Sequence, residues 1–423
     1  MRSVTALLLM ALTVGGARAQ SSSSPAGRSL SPAERSIAQA KNLIAKNPRD
    51  FEAYNALALA LSRRARETSD AKFYADAEEA LQRSVEISLG NFDGERTRVW
   101  LLLGKHEFAA ALEAATKLNK KMPDDVMVYG FLTDANVELG NYMEAEAAAQ
   151  WMLDLRAGSI PGLTRAAYLR ELFGDVDGAL ALMEMAYQST PLGESEDRAW
   201  ILTQMAHLNL TIGKSSQAEN LLRQALTIFP GYHYALGNLG KVRIQQKRYA
   251  EAVELLKQRY QAAPHAENLY DLAEVLELVG QAEEAKKAFA EFQQKSLLES
   301  DRADNSNREL TFYYADHTSQ AAKALEVAKR EIARRHDVYT LDAYAWALYV
   351  NGQREEARKQ IEAALAVGVR DAKLFRHAGE IALKCGDQVT AQKYLQQSAD
   401  LNTTDSEPAR TKLASIVEAP IGR

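Results

Sequence analysis

Histidine is the side chain best suited to proton transfer or metal ligation near neutral pH. This chain of 423 residues carries seven: His106, His207, His233, His265, His317, His336 and His377. No two lie at helical i,i+4 spacing and no H-E-x-x-H occurs, so the pattern that places two imidazoles and a general base on one zinc is absent from the sequence. Asp175-Val-Asp177-Gly178 and Asp301-Arg-Ala-Asp304-Asn305 have the beginnings of calcium loops. The first lacks a distal glutamate, and the second has Ala303 and Phe312 where oxygen ligands are needed. Gly240-Lys241 fails as a phosphate loop, because Ala235 stands for the first glycine and Val242 for the Ser/Thr. Cys385 is the only cysteine, which excludes an internal disulfide and a cysteine-cluster zinc site. Catalysis, cofactor and metal are therefore not expected. The side chains left to act are tyrosines, tryptophans and charges, which recognise surfaces.

Those side chains sit in a recurring frame. Gly140 to Gly174, Pro230 to Pro264 and Gly352 to Gly386 each span 34 residues. After the turn glycines come small or apolar residues at steps of four and three: Ala145, Ala149, Met152; Ala179, Met183, Ala186; Ala218, Leu222, Ala225. Steps of four and three trace one face of a helix. A glycine can end the preceding helix left-handed, and a proline near the next boundary cannot continue one. Two helices and two turns fill 34 residues, and one such hairpin cannot cover its own apolar faces. Neighbours must stack.

Leu239-Gly240, Tyr249, Ala252, Leu256 and Pro264 in one unit, and Leu341, Tyr344-Ala345, Leu348, Gly352, Ala357 and Ile361 in another, resemble the tetratricopeptide repeat. The resemblance implies an all-α fold, a right-handed superhelical solenoid of about ten helix hairpins. The expected division is a signal peptide at 1–19, a polar linker at 20–31, a half-repeat helix at 32–50 and two irregular units at 51–125. Further units follow at 126–193, 199–299 and 305–405, with a capping helix and tail at 406–423. Polar inserts near 193–198 and 298–307 read as surface breaks. The basic runs Arg63-Arg64 with Arg66, and Lys329-Arg330 with Arg334-Arg335, read as solvated helix faces.

In this family the first helix of each unit lines a concave groove that holds a protein or peptide partner. Counting inward positions in the central units gives Tyr168, Trp200, His207, Tyr234, Lys241, Tyr270, Glu274, Glu277, Tyr313, Trp346 and Tyr349 as the candidate groove. Glu267, Asp271, Glu274 and Glu277 would make one stretch of it acidic and suited to a basic or neutral segment.

Composition is ordinary for a globular chain, 47% hydrophobic and 25% charged. A net charge of −5 gives no global attraction for nucleic acid, so none is expected as a partner. Met1-Arg2, the apolar run Val4–Val14 and Ala17-Arg18-Ala19 together read as a secretory leader cut after Ala19, too short to anchor the chain. Nothing else is apolar enough to span a membrane. The expected setting is periplasmic or extracellular. The expected role is a non-catalytic interaction scaffold or, alternatively, an accessory bridge of an envelope transport or polysaccharide-export machine.

Overall fold

The computed structural model describes residues 30–401 and 406–417; the expected leader and most of the linker lie outside these. The described residues form 22 α-helices and one π-helical turn, with no strand among them. The first helices of the hairpins are α2 (Phe51–Thr68), α4 (Phe92–Gly104), α6 (Val126–Glu138), α8 (Ile160–Leu172) and α10 (Ser195–Thr211). They continue with α12 (His233–Gln245), α14 (Ala266–Leu278), α16 (Asn307–Phe312), α18 (Val338–Val350) and α20 (Ala372–Lys384). Their partners are α3 (Lys72–Ile87), α5 (Phe108–Lys121), α7 (Tyr142–Leu155), α9 (Val176–Ser189) and α11 (Ser215–Ile228). Then come α13 (Tyr249–Ala262), α15 (Ala282–Glu299), α17 (Ala321–Ile332), α19 (Arg354–Leu365) and α21 (Gln388–Asp400). Helix α1 (Pro32–Lys46) precedes the array and α22 (Ser406–Val417) follows it.

Local chemistry sets the boundaries. Ser31 and Glu34 form a reciprocal capping box on α1, and Asp50, Asp125 and Asp371 accept from the third backbone amide of their helices. At the hairpin turns Gly140, Gly174, Gly213, Gly280, Gly352 and Gly386 all have φ between 74° and 85°. In each case the next residue donates its N–H to a carbonyl five back, as Asn141 does to Asn136 at 2.8 Å. His106 and Lys247 occupy the same turn position in two other units, at φ 61° and 57°.

One alanine near the start of each second helix is sealed: Ala77, Ala111, Ala145, Ala179, Ala218, Ala252, Ala324, Ala357 and Ala391 are all fully buried. A methyl group is all that fits where the two helices of a hairpin come closest. The first helices also touch one another, as α2–α4, α4–α6, α6–α8, α10–α12 and α18–α20 do. They are therefore buried around much of their circumference: α10 hides residues on every face, whereas α11 hides only Ala218, Leu222 and Ala225.

The solenoid also closes on itself. The hairpin ends of the first four units meet the helix starts of later ones, 131 to 197 residues along the chain. Arg63 and Arg66 at the end of α2 reach Glu194, Glu196 and Asp197 at the start of α10, with Arg66 2.8 Å from Asp197. Ser69 Oγ lies 3.2 Å from His233 Nε2, and the Ser69 carbonyl accepts from His265. His106 faces Asp304 at 3.3 Å. Arg335 pairs with Glu138 and Asp337, the His336 amide donates to the Glu138 carbonyl at 3.0 Å, and the Val338 amide donates to the Tyr142 hydroxyl at 2.9 Å. The Gly174 turn lies against the Gly368 carbonyl. We refer to this line of contacts as the seam.

The seam corrects four expectations. Arg63, Arg66 and Arg335 are not solvated: each is buried or nearly so against carboxylates of a distant unit. The insert near 193–198 is no surface break, because Ser195–Asp197 is an added first turn of α10 whose acids complete the ion pairs. The 298–307 insert is tied down rather than slack. Asn305 and Asn307 both donate to Glu331, Ser306 to Ser296, and Arg334 donates to the carbonyls of Asp301 and Arg302. The unit at 91–125 is a regular hairpin of 13 and 14 residues.

Candidate functional site

A stacked array presents one continuous surface, the wall formed by its first helices. Along the central units the structure puts most of the expected groove residues into contacts within this wall. Trp200, His207, Tyr270 and Trp346 are buried, which corrects their expected exposure. Neighbouring first helices approach so closely that inward side chains of one helix meet those of the next, one repeat along. His207 Nε2 lies 2.9 Å from Glu171, and His377 Nδ1 lies 2.7 Å from Asp342. The Tyr232 hydroxyl donates to Glu196 at 2.9 Å, and Arg165 grips Asp134 with two donors at 2.6 and 2.8 Å. Trp346 donates from Nε1 to Asp316 at 2.7 Å, stacks on His377 at 4.1 Å and carries Tyr349 at 4.8 Å on its ring. Tyr270 packs against Phe289, Phe292 and His317, and Tyr313 stacks beside the same histidine. Tyr168 is half-buried between two core clusters, and Tyr234 lies against the His233 ring.

Burial dominates the electrostatics here. It pushes Asp342 up to about 7 against the pull of Lys373 and Arg376, and it pushes Glu138 up to about 8 against Arg335. Burial drives His233 down to about 3, with Arg259 adding to the effect. It would also raise Asp271, but Arg259 and Lys241 outweigh it and hold that carboxyl below its ordinary range. The expected acidic stretch is thus partly neutralised: Asp271 is paired with Arg259, and Glu277 meets His317 at 2.9 Å. Lys241 and Glu274 line a cavity of about 180 Å³ together with His207, Asp271 and Arg370, roofed by the loop before α20.

A larger open groove of about 520 Å³ lies on the first three units, which the sequence reading treated as irregular. Glu52, Asn55, Ala56 and Leu59 of α2, Asp93, Arg96, Thr97 and Trp100 of α4, and Met127 and Phe131 of α6 line it. Each helix contributes residues three or four apart, so each presents one face to the groove. Trp100 and Phe131 form its floor, edge to face at 6.2 Å. Arg96 is engaged by Asp93 and Asp125, both at 2.8 Å. The signal was present in the sequence: the inward register applied to 126–405 marks 52, 55 and 59 when it is carried back to residue 51.

Among the described residues there is no group of three or more side chains placed to hold a metal ion. No helix among them is long and apolar enough to cross a membrane.

Residues 209–265 match the tetratricopeptide repeat family. The chain is a tetratricopeptide-repeat solenoid. Solved structures of the same fold include the human IFIT1 dimer with m7Gppp-AAAA, at 14% identity and a TM-score of 0.51, covering 87% of this chain and 85% of that one. A monomeric IFIT1 mutant with Gppp-AAAA is similar at 14% identity and a TM-score of 0.51, covering 87% of this chain and 86% of that one. Identity at that level shows the shared fold and nothing finer. No curated protein sequence matches the chain.

Proposed function

We propose that this tetratricopeptide-repeat chain is a non-catalytic scaffold that holds a segment of a protein partner along the wall of its first helices, engaging it at α2, α4 and α6. The observation that carries this reading is the open groove of about 520 Å³ on those three helices, while the aromatic residues of the later wall are packed into the solenoid itself. A groove with an aromatic floor and a rim of mixed charge suits an extended or helical peptide. A nucleic-acid ligand fits less well, although the IFIT1 structures hold capped RNA. Arg63, Arg66 and Arg335 of this chain are committed to buried carboxylates and leave no basic stripe for phosphates. We further propose that the protein works outside the cytoplasm, on the strength of its N-terminal leader pattern.

Both parts are testable. A tryptophan placed at Ala56, which is exposed within the groove, blocks a partner held there, whereas one at exposed Glu113 on α5 does not. Pull-downs with the two variants and the wild type decide the point, and equal recovery of partner from all three overturns the reading. For the setting, mass spectrometry of the natural protein is expected to find a mature chain beginning at Gln20. A chain that retains Met1 overturns it.

A further inference from the structure

Every polar group at the base of the α2–α4–α6 groove is accounted for except one carboxylate and one carbonyl oxygen, and both are acceptors. Asn91 caps α4, taking the Gly94 amide on its Oδ1 at 2.6 Å and donating from Nδ2 to the Ser88 carbonyl at 2.9 Å. Those two backbone partners fix which way its carboxamide points. Its Oδ1 also accepts from Asn55 Nδ2 at 2.8 Å, which fixes the orientation of Asn55 in turn. Asn55 is 6% exposed, lines the groove, and is left with an Oδ1 that has no partner among the described residues. A buried carbonyl without a donor is costly, and a ligand that supplies one removes the cost. One helical turn earlier on the same face of α2, Glu52 is exposed and makes no ion pair. The groove's only cation, Arg96, is already held by two aspartates, so the lining carries a net negative charge.

We infer that this groove is a subsite for a basic side chain of the partner, an arginine in preference to a lysine. The guanidinium is a planar fork of donors that can meet the Glu52 carboxylate and Asn55 Oδ1 together, whereas an ammonium is a compact, strongly hydrated charge. Its weaker hydration also suits a site floored by Trp100 and Phe131, where a cation over the rings gains further attraction. This inference rests on the reading of the groove as the binding surface and adds what that surface selects.

Four capped tripeptides serve as probes: Ac-Ala-Arg-Ala-NH2, Ac-Ala-Lys-Ala-NH2, Ac-Ala-Leu-Ala-NH2 and Ac-Ala-Glu-Ala-NH2. The readout is the methyl resonance of Met127, which lines the groove, in the full chain labelled at its methionine methyls and assigned by Met127→Leu. The arginine peptide is expected to shift that resonance at the lowest concentration, the lysine peptide to follow, and the glutamate peptide to have no effect. Glu52→Gln is expected to weaken the arginine peptide about tenfold, and Glu52→Lys to abolish its effect. Glu52 is exposed, so neither change endangers folding. Asn55→Leu, checked for unchanged helix content, is expected to narrow the preference for arginine over leucine. Equal binding of the leucine and arginine peptides overturns the inference, as does insensitivity to Glu52→Lys or no shift with any peptide. The Ala56→Trp pull-down is read independently, so a groove that binds its partner without selecting a basic residue is distinguished from one that binds nothing.

Discussion

Four turn glycines form a matched set that isolates the seam. Gly140, Gly280 and Gly352 each have φ 77° and Gly174 has φ 82°, so alanine incurs nearly the same backbone penalty at all four. An L-residue in that conformation costs about 1–2 kcal/mol. At Gly280 and Gly352 nothing lies within 4 Å of where the new methyl would sit, and the penalty ends there. At Gly140 the methyl would stand 2.8 Å from the His336 carbonyl oxygen, and at Gly174 it would stand 2.7 Å from that of Gly368. Both obstacles are backbone of a unit more than 190 residues away and cannot rotate aside, so the seam must part. Beside Gly140 that movement pulls at Arg335 and Glu138, a buried pair whose disruption is worth about 3–5 kcal/mol. Gly140→Ala is therefore expected to cost at least about 2 kcal/mol more than Gly352→Ala, with Gly174→Ala also above Gly280→Ala. Urea unfolding of the four variants gives the energies, and small-angle scattering gives the shape. The seam variants should expand before they unfold. Equal costs at all four positions, with unchanged scattering, would refute the claim that the solenoid closes on itself.

Other perturbations read the same architecture from different sides. Arg66→Met leaves the fully buried Glu196 without its closest cation and is expected to lower stability by about 3–5 kcal/mol, whereas Arg66→Met with Glu196→Gln should recover part of it in a double-mutant cycle. His233 cannot take a proton in the folded chain until about pH 3, while the unfolded chain takes one near 6.5. Its contribution to stability is therefore lost as pH falls below 6.5, by about 2 kcal/mol at pH 5. Glu138 and Asp342, with pKa values pushed up, run in the opposite direction, so the check is the difference between wild type and His233→Gln in denaturation at pH 7 and pH 5. Lys247 holds a left-handed turn that glycine fills in six other units, and Lys247→Gly is expected to stabilise the chain by about 1 kcal/mol in thermal or urea unfolding.

What could be read from the sequence was what is local. The 34-residue step, the sealed alanines and the turn glycines arise from contacts within a hairpin or between neighbours, and periodicity records those directly. The seam is different. Whether Arg66 meets Glu196 depends on how tightly the superhelix winds, a sum of small rotations over several units that no single repeat reveals. The same ignorance of pitch misread Arg63, Arg66 and Arg335 as solvated, and Glu196 and Asp197 as loop. The candidate site failed for a related reason. Trp200 and Trp346 do stand at inward positions, but adjacent helices lie close enough to bury them. The open groove was passed over because Asp93 and Arg96 broke the apolar pattern of α4; polar residues at inward positions are what an open groove shows.

The account's central claim is that a partner engages α2, α4 and α6 rather than the packed central wall. A photoreactive benzoylphenylalanine at Ala56, compared with one at Tyr349 and one at Glu113, tests it most directly, with the cross-linked segment identified by mass spectrometry. The account predicts a defined adduct from position 56 that disappears when Glu52 is changed to lysine, and none from position 113. Adducts from 349 alone, or equally from 113, would contradict it.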